Sequence, residues 1–80
     1  LTISNSQLGT GLGAAVVIYS KGAADYNSST VYGLIISKGS NLELDGSTVY
    51  GAILNYSSSF SLIGNSDVTG SVISYSSVDF

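Results

Sequence analysis

The chain has 80 residues, two lysines and no arginine against five acidic side chains, a net charge of −3, and neither Cys nor His. This excludes disulfides, thiolate chemistry, conventional zinc ligand sets and Ser-His-Asp or Cys-His catalysis, and two lysines cannot build the groove that neutralises nucleic-acid phosphates. A domain this small has a marginal core, and without a disulfide or a His/Cys metal site, self-association is the remaining route to stability.

The composition is otherwise skewed: 9% charged, 17 Ser, ten Gly, six Tyr and no Pro, Met or Trp. Such a polar, charge-poor surface points to an extracellular or cell-surface setting. The longest apolar run, Ala14 to Tyr19, is six residues, against the roughly 20 that a membrane-spanning helix needs. No signal peptide is visible and the chain begins at Leu1, which suggests a processed product or an excised piece of a longer protein.

In chain order, Leu1-Thr2-Ile3 reads as a short strand. It is followed by a Gly-rich stretch at 9–16, Gly-Thr-Gly-Leu-Gly-Ala-Ala-Val, about six residues in excess of the later units and expected to emerge as a corner loop. Val17 to Gly22 is the next strand, and from there the sequence repeats itself. Asn27 to Gly33, Asp45 to Gly51 and Gly64 to Gly70 align, with Gly33, Gly51 and Gly70 falling 18 and 19 residues apart. Each glycine precedes the same kind of segment, beginning Leu34-Ile35-Ile36, Ala52-Ile53-Leu54 and Ser71-Val72-Ile73. A second strand type recurs as Leu42-Glu43-Leu44 and Phe60-Ser61-Leu62, and Val78-Asp79-Phe80 resembles the opening strand.

Apolar residues alternate with period two around short Gly/Asn/Asp/Ser turns, which is the strand pattern. Leu42, Leu44, Val49, Gly51 and Ile53 read inward. Glu43, Tyr50, Ala52 and Leu54 read outward. An 18-residue unit is too short to hold a crossover helix between parallel strands, so each strand pairs with its own copy in the next unit. The predicted fold is all-β: one domain, 1–80, forming a short right-handed parallel β-helix of four to five coils of 17–19 residues. Residues 1–22 form an irregular first coil with the insertion at 9–16, and 23–80 the regular coils. A small antiparallel sandwich is the alternative. A left-handed hexapeptide helix is disfavoured because the series Leu42, Thr48, Leu54, Phe60, Ser66 does not keep an apolar residue every six positions.

The segments Leu44 to Ile53 and Leu62 to Ile73 resemble the coils of bactofilin-like polymer-forming proteins and of pilus-associated, minor-pilin-type proteins. The likeness spans roughly residues 17 to 80. It implies a right-handed β-helix used in filaments or surface assemblies, with no activity attached. The charged tails of bactofilins and the hydrophobic N-terminal helix of pilins have no counterpart here, and the low charge favours the pilus-associated or secreted branch over a cytoplasmic polymer.

Sites of chemistry are sparse. The glycines at 9, 11 and 13 lack the spacing and the following helix of a dinucleotide loop, and read as a flexible corner. Glu43 and Asp45 are outward neighbours, with Asp79 two coils along in the Glu43 column. Paired carboxylates serve glycoside hydrolysis, but no aromatic platform or Arg accompanies them, and solvated surface charge is the better reading. Five scattered acids do not suggest a calcium site either. Lys21 and Lys38 take equivalent positions, continued by Tyr56 and Tyr75. No catalytic, cofactor or metal residue is assigned.

The outward stripe carries the functional expectation. Val17 and Tyr19, then Tyr32, Leu34 and Ile36, then Tyr50, Ala52 and Leu54, then Ile73 stack into an apolar face of several hundred Å² by estimate, a size that marks contact surfaces. The expected assembly face is Tyr19, Tyr32, Leu34, Ile36, Tyr50, Leu54 and Ile73. Unpaired strand edges at the two ends of a solenoid also template further pairing. Together these predict a non-catalytic structural assembly module of a cell-surface or pilus-like filament, with itself or other filament subunits as partner. A module adhering to polysaccharide or another repetitive surface is the alternative.

Overall fold

The computed structural model describes residues 1–11 and 13–79, so Leu12 of the insertion and Phe80 of the last strand lie outside the described residues. The first coil holds β1 (Thr2–Ser4), β2 (Gln7–Leu8) and β3 (Val16–Ser20). The second holds β4 (Ala24–Asn27) and β5 (Thr30–Ser37), and the third β6 (Leu42–Asp45) and β7 (Thr48–Asn55). The fourth holds β8 (Phe60–Ile63) and β9 (Asp67–Ser74), and β10 (Val78–Asp79) opens a fifth. One sheet runs β1-β4-β6-β8-β10; the other runs β2-β5-β7-β9, with β3 also on β5. Every pairing between these strands is parallel. That excludes the antiparallel sandwich and makes the molecule a β-solenoid of about four turns.

Register turns the sequence repeat into columns of side chains. Ala24, Leu42, Phe60 and Val78 stack inward, as do Ile3, Tyr26, Leu44 and Leu62. From the other sheet come Leu8, Val31, Val49 and Val68, and then Ile18, Ile35, Ile53 and Val72. In the second and third coils these residues are completely buried or nearly so. The fourth coil is less covered: Val72 points inward yet is 41% exposed, and with Leu62, Val68 and Val78 it lines a depression of about 370 Å³ at the open end of the columns.

Two backbone devices repeat with the coil. At the corner before each long strand the chain enters the left-handed region, at Asn5 (φ 51°), Ser28 (49°), Gly46 (61°) and the Gly64-Asn65 pair (64° and 63°). Asn and Gly tolerate this conformation and other residues do so at a cost. The corner stays in the stack because Asn5, Ser28 and Gly46 N–H groups donate to the carbonyls of Asn27, Asp45 and Ile63 in the next coil. Within the long strands, Gly33, Gly51 and Gly70 are register partners with φ of 147°, 140° and 136°. A Cβ on Gly51 would overlap the carbonyl oxygen of Gly33, and one on Gly70 that of Gly51. These glycines therefore let successive coils approach at the coil spacing.

Polar groups inside the solenoid are ladders too. Ser6 N–H donates to Ser29 Oγ (3.1 Å), Ser29 N–H to Ser47 Oγ (3.0 Å) and Ser47 N–H to Ser66 Oγ (3.0 Å). At the opposite corner, buried Asn55 donates through Nδ2 to Ser74 Oγ (3.0 Å) and Ser76 Oγ (3.1 Å), while its Oδ1 accepts from Ser57 N–H (3.1 Å) and the Ser57 hydroxyl. Among the described residues, the buried hydroxyls of Tyr26 and Ser37 have no hydrogen-bond partner.

The insertion finds its place in this register. Leu8 pairs with Val31 and Val16 with Gly33, so the insertion leaves and rejoins the sheet on either side of the single Tyr32. Their turn is closed by Ala14 N–H donating to Gly11 O (3.0 Å), and Gly9 packs on the Tyr32 backbone.

Candidate functional site

The outer side of β3, β5, β7 and β9 is a flat patch with three adjacent columns. Val17, Leu34, Ala52 and Ser71 form the first; Tyr19, Ile36, Leu54 and Ile73 form the second. The third runs along the strand ends as Lys21, Lys38, Tyr56 and Tyr75, tied by Lys38 N–H to Ser20 O, Tyr56 N–H to Ser37 O and Tyr75 N–H to Asn55 O. Across the glycine column lie Tyr32, Tyr50 and Thr69. The structure thus gathers Tyr19, Leu34, Ile36, Leu54 and Ile73 on one face, with Tyr32 and Tyr50 beside it.

Exposure on this face is uneven. Val17 is 69% and Ile73 57% exposed, whereas Leu34, Ile36, Leu54, Tyr32 and Tyr50 are half-buried. The reason is the stack itself: a side chain in a middle coil has neighbours roughly 4.8 Å above and below, which cover much of it before any partner arrives. A partner therefore gains most at the first and fourth coils.

The aromatic columns are tightly ordered. Tyr32 and Tyr50 rings stack at 4.8 Å and 13°, and Tyr56 and Tyr75 at 4.7 Å and 12°. Lys38 Nζ sits 5.4 Å from the Tyr56 ring centre, a cation–π distance. Hydrogen bonding to the Tyr75 side chain, helped by desolvation and the neighbouring charge, raises the Tyr56 phenol above its ordinary range. Because the rings of each pair face each other, stacking covers one face of every one of these four rings, and Tyr75, at the end of its column, is still 70% exposed.

Four of the five acids lie on the other sheet, while Asp67 opens β9 at the strand end far from the lysines. Asp25 and Glu43 are register partners on the β4-β6 sheet, followed by Ser61 and Asp79, while Asp45 pairs with Asn27 in the next column. Among the described residues no three His, Cys, Asp or Glu side chains converge as metal ligands. The sequence reading placed Glu43, Asp45 and Asp79 outward but overlooked Asp25, whose segment Ala24-Asp25-Tyr26 lies 18 residues ahead of Leu42-Glu43-Leu44. No helix among the described residues is long and apolar enough to cross a membrane.

No family model, curated protein or solved structure matches this chain.

Proposed function

We propose that this chain is a non-catalytic structural assembly module of a cell-surface or pilus-like filament, working through β-solenoid stacking and the apolar outer face. The observation that carries the reading is the pair of uncharged columns from Val17 to Ser71 and from Tyr19 to Ile73, held on a rigid four-strand sheet. A soluble surface gains nothing from eight such positions without a charge, whereas a contact face does. Covering roughly 400 Å² of apolar surface at about 25 cal/mol per Å² gives on the order of 10 kcal/mol gross, much of it offset by association costs. Adhesion to polysaccharide fits less well, because stacking already covers one face of each of Tyr32, Tyr50, Tyr56 and Tyr75.

The test is the double variant Leu34→Asp/Leu54→Asp. Both side chains point away from the core, so circular dichroism should retain the β spectrum while sedimentation shows association lost. Unchanged association would remove this face as the contact surface. Loss of β structure in the dilute chain would show that the two leucines support the coil instead.

A further inference from the structure

The three outer columns change character along the solenoid, and they do so in complementary ways. The first falls in size from Val17 and Leu34 in coils one and two to Ala52 and Ser71 in coils three and four. The third changes from Lys21 and Lys38 to Tyr56 and Tyr75 over the same coils. The second is bulky and apolar throughout: Tyr19, Ile36, Leu54, Ile73. The face thus has a raised, cationic half and a hollow, aromatic half.

From this we infer that a second copy of the chain covers the face in an antiparallel pair, related by a two-fold axis along the strands. The inference rests on the assembly reading above and specifies its partner and geometry. The operation keeps each column opposite itself and reverses the coil order, as an isologous interface requires. Leu34 then meets the hollow at the partner's Ala52, and Val17 meets the partner's Ser71. Ile36 meets the partner's Leu54, and Tyr19 the partner's Ile73. Lys21 comes opposite the partner's Tyr75 and Lys38 opposite the partner's Tyr56, the lysine–tyrosine contact that Lys38 and Tyr56 already make within one chain.

The other simple arrangements lose these matches. Parallel pairing that keeps every column opposite itself would need a mirror operation, which two copies of a chiral chain cannot adopt. A two-fold axis along the solenoid reverses the columns and sets lysines against the Val17 column. Among the described residues no carboxylate forms an ion pair with either lysine, because Asp25, Glu43, Asp45 and Asp79 occupy the other sheet and Asp67 sits at the opposite strand end from the lysine column.

The area suits a reversible pair. Four strands about 4.8 Å apart, each about five residues of 3.3 Å, make a flat patch of roughly 300 Å². Side-chain relief raises this to on the order of 500 Å² per copy, so a pair buries about 1,000 Å², the lower bound for a specific interface.

The absence of native cysteine makes the geometry directly testable. Single variants Val17→Cys and Ser71→Cys, both at exposed outer positions, are mixed in equal amounts and treated with a bismaleimide of about 10 Å reach, the spacing of facing sheets. Antiparallel pairing places these two thiols opposite each other and separates like thiols by a further three coil steps, roughly 14 Å. The mixed cross-link is expected in several-fold excess over either like cross-link, and Ala52→Leu, which fills the hollow, should weaken association at least tenfold with the fold intact. Like cross-links in excess would overturn the antiparallel pairing while leaving the face as a contact surface. A wild-type chain that sediments as a monomer up to millimolar concentration would overturn self-pairing altogether. Association untouched by Leu34→Asp/Leu54→Asp would instead remove the assembly reading on which the inference stands.

Discussion

The two sides of β7 are about equally apolar in sequence, yet they answer to different constraints. Inward go Val49, Ile53 and Asn55; outward go Tyr50, Ala52 and Leu54. The inner columns of this sheet hardly vary from coil to coil, Val31, Val49 and Val68 in one and Ile35, Ile53 and Val72 in another, and on the other sheet the small Ala24 and large Tyr26 together replace Leu42 and Leu44. Every coil must fill the same cross-section, and close packing tolerates little change of volume. The outer columns are graded, from Leu34 to Ser71 and from Lys21 to Tyr75. Stacking alone needs no gradient there. Repetition marks what the coil requires of itself, and departure from it marks what the surroundings require.

Substitutions can break this contrast, and the largest effect is expected at the glycine column. Gly51→Ala forces a Cβ against the Gly33 carbonyl at a φ that L residues rarely adopt, and should cost about 3 kcal/mol or more in urea denaturation. Ala52→Gly, the reverse exchange one residue on and facing out, should cost no more than about 1 kcal/mol. If the two cost the same, the glycine column is not a packing requirement.

Next in size is a truncation on each side. Leu44→Ala empties a completely buried site and should destabilise the dilute chain by about 3 kcal/mol. Leu54→Ala removes an outer, half-buried side chain and should cost about 1 kcal/mol or less in the same measurement, while weakening association. Equal losses of stability would erase the distinction between inner and outer columns.

The smallest effect concerns Tyr26, whose buried hydroxyl has no partner. Tyr26→Phe should leave thermal stability at neutral pH unchanged or raise it by up to about 1 kcal/mol. Burial pushes the Tyr26 phenol from 10.0 up to about 12, so the folded state holds the proton that the unfolded state releases. The stability linked to it is complete below pH 10 and is lost as pH rises from 10 to about 12, on the order of 2 kcal/mol in all. The Phe variant should lack that part of the alkaline loss, and an identical alkaline midpoint in both chains would show that Tyr26 is reached by solvent.

Much of the architecture was legible because a solenoid writes its register into the sequence. The 18-residue spacing of Leu42-Glu43-Leu44 and Phe60-Ser61-Leu62, and the three aligned glycines, define which residues stack. Less legible was what stacking does to individual groups. Ser29 and Ser47 read as polar turn residues but are buried, since each Oγ accepts an N–H from the coil before; a hydroxyl's partner one coil away leaves no local pattern. Asn55 stands where the neighbouring coils carry Ser37 and Ser74, and nothing in its immediate sequence reveals that it ties down Ser57, Ser74 and Ser76. Tyr26 was overlooked as core because Ala24 and Tyr26 replace the leucines of the later copies. For the outer face, alternation gave the direction of Leu34 and Leu54, while their half-burial depended on neighbours that only register supplies.

The corner serines and column glycines also make length an adjustable property. Removing the eighteen residues from Leu34 to Gly51 would join Gly33 to Ala52, leave every column continuous and shorten the stack by one step of about 4.8 Å. Duplicating the same stretch would lengthen it by one. Gain or loss of a whole coil can therefore change the reach of the module in fixed increments without designing a new core. A lineage that needs a longer or shorter spacer can acquire one by copying or losing a coil, and selection need only retune the outer columns afterwards.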